Sequence, residues 1–369
     1  MKAWAEMAAL AALALAGCRE TEAPGGAQGV REYAMAWPDR GDPPRNSCDS
    51  KPGEAVHPGS THEIAFDHRR GGDLWISGQN YDWLARVAPA DGTMRFVRMP
   101  AGSGPHGLEF DSEGRLWVSL ECQGRIVALD PEGKSVPGAE IALPPGTRPH
   151  GLGIGPDGRT IWYTGKTDGT IGRIGPGGKL TRFALSEPGS TPIYVRAGPD
   201  GSMWATELVG NKIARVSSAG ALTESPIPTE ASRPIAIVPG PDGAMWFSEE
   251  AGGQVARIEP NGRITEFRVP TPEGRPNMLL AGLAFDGSGD LWVQQYVSQA
   301  EPEPAGEDYL VRIAKAGLAA GPGGLKPEHF RRYPVATRDT VMHRVIEGPD
   351  KAMWFTEMHS DKLGRVEGK

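Results

Sequence analysis

One phrase recurs seven times in this 369-residue chain, and it constrains the fold more than any other feature. It reads LWIS at Trp75, LWVS at Trp117, IWYT at Trp162, MWAT at Trp204, MWFS at Trp246, LWVQ at Trp292 and MWFT at Trp354. The successive spacings are 42, 45, 42, 42, 46 and 62 residues. Self-similarity at such a period marks a propeller or solenoid, in which each unit buries its apolar face against its neighbours. The unit around Trp204 reads as four short strands: IYVRAGPDG, SMWATELVG, NKIARVSSAG and ALTESPIP. Asp-Gly and Ala-Gly junctions between alternating runs are hairpin signals. Four antiparallel strands per unit make one blade. The 51 glycines and 34 prolines fit many tight turns, and with the two-residue alternation they disfavour a helical solenoid.

The expected fold is therefore all-β, a seven-bladed β-propeller over residues 29–369. Each Trp is expected to fill the space between blades. The seventh unit begins at His343 and ends after its third strand, KLGRVEGK. Its missing fourth strand has a match at the other end of the chain. GVREYAMAWP (29–38) resembles the fourth-strand phrases GRITEFRVPTP and GKLTRFALSEP. An N-terminal strand that completes the last blade removes an open sheet edge and locks the ring.

Residues 1–17 read as a signal peptide, with the apolar run AALAALALAG too short to span a bilayer. LAGC (Leu15–Cys18) resembles a bacterial lipobox, which makes Cys18 the expected lipidation site; an ordinary cleaved signal is the alternative. Residues 18–28 then form the lipidated Cys and a flexible tether. The expected location is the bacterial envelope, as a periplasmic or outer-membrane-anchored lipoprotein, with membrane contact only through the lipid anchor. A formal charge of −7 without a basic run argues against nucleic acid as a partner. A monomer is expected. Cys48 and Cys122 either pair in an oxidising envelope or remain free thiols.

Propeller topology places the start of each first strand and the end of each second strand on one face of the central channel. His62, His106, His150 and His343 occupy one slot at the start of units 1, 2, 3 and 7, which are neighbours in a closed ring. Ile193, Ile235 and Ala281 fill the slot in units 4, 5 and 6, an apolar arc opposite the imidazoles. Carboxylates follow the Trp phrase at Glu121, Glu207, Glu249 and Glu357. Some of these serve blade contacts; Glu121 and Glu357 belong to units that also carry a mouth histidine. A neutral imidazole near a carboxylate can accept a proton, and imidazoles with carboxylates can bind a divalent cation, Mg²⁺ among them. The acidic, Pro-rich stretch Gln295–Asp308 of unit 6 lies on the same face, as a lid or a solvated loop. The extra residues near Gly317–Pro327 lie toward the opposite face.

The phrase GPDGxMWFxExxxxKIxRIxxxGxITEF resembles the virginiamycin B lyase family, the streptogramin lyases, across the chain beyond the tether. The resemblance implies a seven-bladed propeller that opens an ester-closed ring by elimination, a His taking the proton beside the carbonyl and Mg²⁺ stabilising the enolate-like charge. The family's pattern is Glu-Pro-His-Gly-Ile followed by Trp-Phe-x-Met-Glu-Cys. GSGPHGLEFDSEGRLWVSLEC matches it best. On that match His106 is the base, Glu121 a metal carboxylate and His62 a substrate-binding residue, and His150 is expected to bind and orient substrate together with His62. By chain order the last blade offers His343 as base and Glu357 as metal ligand. In both registers the Glu two residues before the His is replaced, by Gly104 and Val341. The leading expectation is a metal-assisted carbon–oxygen lyase acting on a small ester or lactone, with antibiotic resistance as the family's setting. The alternatives are a metal-dependent lactone hydrolase and a non-catalytic binding propeller.

Overall fold

A computed structural model of the chain describes residues 15–16, 29–39, 48, 59–275, 277–298 and 306–367. Seven antiparallel sheets form the blades of a closed β-propeller. Blade 2 is representative, running from the inner strand Pro105–Phe110 through Leu116–Leu120 and Arg125–Leu129 to Ser135–Ala142 at the rim. Blades 1 and 3 to 6 repeat this order, with inner strands Thr61–Ala65, Pro149–Ile154, Pro192–Ala197, Pro234–Pro239 and Met278–Phe285. Blade 7 has the inner strand Met342–Glu347, then Ala352–Glu357 and Lys362–Glu367. Its fourth strand is Val30–Ala34, paired antiparallel from Val30 opposite Val366 to Ala34 opposite Lys362. The expected closure is therefore what the fold uses. A short pairing of Leu15 with Arg95 and Ala16 with Met94 adds an outer edge to blade 1. The expected signal peptide, Cys18 and the tether otherwise lie outside the described residues.

The repeat phrase has a structural explanation. All seven phrase tryptophans are buried between blades, none more than 5% exposed. In five blades the indole N–H donates to the Asp of the preceding hairpin turn, as from Trp117 to Asp111 (2.8 Å) and from Trp204 to Asp200 (3.0 Å). The Arg of the third strand reaches the same carboxylate and stacks over the ring: Arg215 Nε lies 2.8 Å from Asp200, its guanidinium 5.4 Å from the Trp204 centroid. The Asp thus satisfies the one polar atom of a buried Trp while the Arg covers its face, which is why Asp, Trp and Arg recur together.

A second device stitches blade to blade. The hydroxyl two residues after the Trp accepts from its own inner strand and donates to the inner strand of the next blade. Ser119 Oγ accepts from Gly107 N (2.7 Å) and donates to the carbonyl of His150 (2.9 Å). Thr356 Oγ1 accepts from Arg344 N (3.0 Å) and donates to the carbonyl of His62 (2.8 Å), closing blade 7 onto blade 1. These bonds end on the backbone of the histidines themselves, so the stitch that holds the ring also sets the imidazoles around the axis. The glycine of Pro-His-Gly is needed at this approach: a Cβ at Gly107 would lie 2.5 Å from the His150 carbonyl oxygen. At the closure Tyr33 stacks on Trp354 (5.4 Å), and Asp361 accepts from Ser60 N (2.8 Å) and Tyr81 OH (2.6 Å) of blade 1.

Candidate functional site

The four inner strands of blades 7, 1, 2 and 3 deliver their histidines to one place. Ring centroids are 3.7 Å apart for His343–His62, 4.2 Å for His62–His106 and 3.6 Å for His106–His150. The next-neighbour distances are 6.2 Å for His106–His343 and 6.5 Å for His62–His150. The result is a contiguous arc in ring order, faced by buried Ile193, Ile235 and Ala281. His106 is fully buried, and His62 and His150 nearly so.

Burial is the main force on their titration. It holds all four imidazoles well below the usual range, because desolvation penalises the cation. Repulsion between rings that would both be charged adds to this, His343 on His62 and His150 on His106, as do the fixed charges of Lys166 on His150 and Arg344 on His343. The arc is therefore four neutral imidazoles at physiological pH. Their nitrogens are not equivalent. His150 Nδ1 lies 2.9 Å from the Ile193 carbonyl oxygen, which can only accept, so Nδ1 carries the proton and Nε2 the lone pair. Among the described residues His106 has no hydrogen-bond partner for either nitrogen, and neither His62 Nδ1 nor His343 Nε2 has one.

Glu121 joins this arc from the turn that follows the second strand of blade 2. Its Oε2 accepts from Gln79 Nε2 (2.7 Å), and its Oε1 lies 3.3 Å from Lys166 Nζ. Gln79, Glu121 and Lys166 each stand four residues after their Trp, where the strand has ended and the side chain turns into the mouth. Glu207, Glu249 and Glu357 stand three residues after theirs, on the strand. The structure does not bring Glu357 to the histidines. It lies beside Glu32 of the closing strand and accepts from Ser360 Oγ (2.9 Å), and burial next to Glu32 pushes its carboxyl well up. Glu207 and Glu249 sit the same way, near Glu224 and Glu266; burial, then that neighbour, raises them to about 7 and about 8. The Trp-x-x-Glu phrase is thus a carboxyl pair with the Glu of the fourth strand.

Among the described residues two groups of donors converge closely enough to hold a metal ion: His62, Glu63, His106 and His343, and His106, Glu121 and His150. Within each group the donor atoms lie within 4.8 Å of one another. Sequence reasoning missed Glu63 and Arg344, which follow their mouth histidines directly. Glu63 Oε1 lies 2.7 Å from Arg344 Nε and 3.6 Å from His343 Nε2. It also missed Lys166 and, on the far side of the mouth, Glu250, which accepts from Arg233 Nε and Tyr296 OH, both at 2.7 Å. The place four residues after each Trp was the signal that would have found Lys166, Glu250 and Tyr296.

Cys122, next to Glu121, forms a disulfide with Cys48, with Cα atoms 5.5 Å apart. Gly104 packs against it: its φ is +58°, and a Cβ there would lie 2.4 Å from Cys122 Sγ. Val341, the equivalent residue of blade 7, also has a left-handed φ of 44°. In blade 6 the second strand runs to Val297 and the third starts at Glu307, so the two ends of the stretch expected to be a lid or loop, 295–297 and 307–308, are strand. Asp308 at its end accepts from Val297 N and Thr340 N, both at 2.8 Å, and so buttresses the approach to His343. Residues 299–305 lie outside the described residues.

Fold and site together define the class: a closed seven-bladed propeller whose channel mouth gathers imidazoles, carboxylates and a lysine. The chain belongs to the virginiamycin B lyase family, whose model matches residues 56–303. Among solved structures it is similar to a streptogramin B lyase, at 22% identity and a TM-score of 0.72, over 92% of this chain and 97% of that one. It is also similar to the virginiamycin B lyase of Staphylococcus aureus, at 26% identity and a TM-score of 0.70, over 92% and 99% of the two chains. A catalytically inactive histidine-to-alanine variant of the S. aureus enzyme with quinupristin matches at 25% identity and a TM-score of 0.71, over 92% and 99%. No curated protein sequence matches the chain significantly.

Proposed function

We propose that this protein is a lyase that opens the ring of a small cyclic ester or lactone by elimination, with His150 as the base. The observation that carries the reading is the His150 tautomer. Its Nδ1–H is anchored on the Ile193 carbonyl, so Nε2 presents a lone pair toward the mouth with the imidazole held neutral. The resemblance assigns the base to His106; among the described residues nothing orients His106 by a hydrogen bond, which favours its neighbour in blade 3. Membership of the lyase family supports the reaction class and a small-molecule substrate.

In the proposed step, His150 Nε2 takes the proton from the carbon next to a carbonyl. The electron pair left behind becomes a carbon–carbon double bond as the β carbon–oxygen bond breaks, and the ester oxygen leaves as a carboxylate. Positive charge is needed near the carbonyl oxygen while the enolate-like charge develops. Lys166, close enough to act on all four histidines, is the group we assign to it, with Glu121 and Gln79 fixing its position.

Mg²⁺, which the family resemblance implies, does not fit the residues present. It prefers hard oxygen ligands. One of the two expected carboxylates is Gly104, and the space of a side chain there is taken by Cys122 Sγ. The other, Glu121, already meets Gln79 and the ammonium of Lys166. For location we infer the cell envelope. The apolar run before Cys18 supports it, and so does the Cys48–Cys122 pair, since disulfides persist in oxidising compartments. Among the described residues no helix is long and apolar enough to cross a membrane.

The test is product mass on a panel of cyclic depsipeptides and lactones. Elimination gives a ring-opened product of unchanged mass with a new double bond, whereas hydrolysis adds one water. His150→Ala should lower kcat at least about 100-fold. Turnover that adds water, or a His150→Ala variant as fast as wild type, refutes the assignment.

A further inference from the structure

We infer that the inner group, His62, His106, His343 and Glu63, is a binding site for a late first-row transition metal of the Zn²⁺ or Co²⁺ kind. This inference does not rest on the lyase reading.

Three neutral imidazoles and one carboxylate converge from blades 7, 1 and 2, with donor atoms within 4.8 Å of one another. Several of those atoms have no hydrogen-bond partner among the described residues although buried: His62 Nδ1, both nitrogens of His106 and His343 Nε2. Buried polar atoms are ordinarily satisfied, and leaving one unmade costs about 1–3 kcal/mol. Here at least three side chains are left so in one spot. Blade packing does not require it, since Ile193, Ile235 and Ala281 fill the same slot in the other blades. A cation is the partner that satisfies lone pairs on several imidazoles at once.

The donor set names the metal class. Imidazole suits Zn²⁺, Co²⁺, Ni²⁺ and Cu²⁺, while Mg²⁺ and Ca²⁺ want oxygen. Tetrahedral ligands at about 2.0–2.1 Å from the ion stand about 3.4 Å from one another. The donor atoms here lie within 4.8 Å of one another, so small ring rotations suffice to reach that spacing. Arg344, 2.7 Å from Glu63 Oε1, orients the carboxylate beneath the imidazoles. Metal-bound carboxylates and imidazoles commonly have such a supporting partner. Lys166 stands on the other side of the arc, against Glu121, so its charge opposes a cation more strongly in the outer group, His106, Glu121 and His150.

The experiment uses the full chain without a polyhistidine tag, stripped of metal and titrated with Co²⁺. The expected result is one Co²⁺ per chain with the strong visible absorption of a tetrahedral site. Zn²⁺ should displace it and a large excess of Mg²⁺ should not. His343→Ala and His62→Asn should each weaken Co²⁺ at least about tenfold. Cooperative thermal melting of the metal-free variants shows that both fold. His150→Ala should keep the absorption. A silent titration, displacement by Mg²⁺, or loss of the band in His150→Ala but not in His343→Ala overturns the inference.

Discussion

Glu249 offers the sharpest test of how the blades are built. Its side chain is fully buried, and desolvation followed by repulsion from Glu266 raises its carboxyl from the ordinary 4.5 to about 8. A group raised in the folded state adds stability below its unfolded pKa and loses it as pH climbs through the folded value. The window here runs from 4.5 to about 8. At about 1.4 kcal/mol per unit, a shift of about 3.5 units makes a loss of about 5 kcal/mol across that window. Glu207, raised to about 7, adds a smaller loss of the same sign over a narrower range. Glu249→Gln keeps the shape and removes the titration. Urea denaturation of both proteins from about pH 5 to about pH 9 reads the difference. The wild type should weaken steeply with rising pH and the variant less so, so that the variant becomes the more stable protein above about pH 8. Parallel profiles across the range would mean that Glu249 does not carry a proton in the fold, and the account of the Trp-x-x-Glu phrase as a carboxyl pair would fail.

Two further outcomes follow from the closure. Thr356→Val strands the Arg344 N–H and the His62 carbonyl, both buried, and should cost about 3 kcal/mol in urea denaturation. Opening the Cys48–Cys122 bond by Cys122→Ser frees a loop spanning 74 residues in the unfolded chain, which should cost up to about 4 kcal/mol, measured with and without reductant on the wild type as control.

The blades were legible because their signals are local. An Asp turn, a Trp and an Arg recur in fixed order, since one Asp serves both of the others. The closing strand was legible for the same reason: Val30–Ala34 meets the same partner strand that its look-alikes meet elsewhere. The imidazole arc could be read from slot counting, because every inner strand starts at the same height. What failed to show was set by single-residue offsets. Glu121 and Glu207 look alike in sequence, but one stands past the strand end and turns into the mouth while the other stays on the strand against Glu224. Lys166 carries no phrase of its own, and the Glu63–Arg344 pair joins residues 281 positions apart that only the closed ring brings together. The disulfide was undecidable because 74 residues separate its ends.

The pairing of Val30–Ala34 with Lys362–Glu367 also fixes an order of events. Val30–Ala34 is made before blade 1 and has to wait, unpartnered, until Lys362–Glu367 has emerged. Blades 2 to 6 are complete from contiguous sequence and can assemble in turn, whereas the His343–His62 contact appears only at the final step. Any ligand that needs both of these side chains therefore reports on finished molecules alone, and a chain cut short by a few residues would keep most of its sheets yet lack that grip.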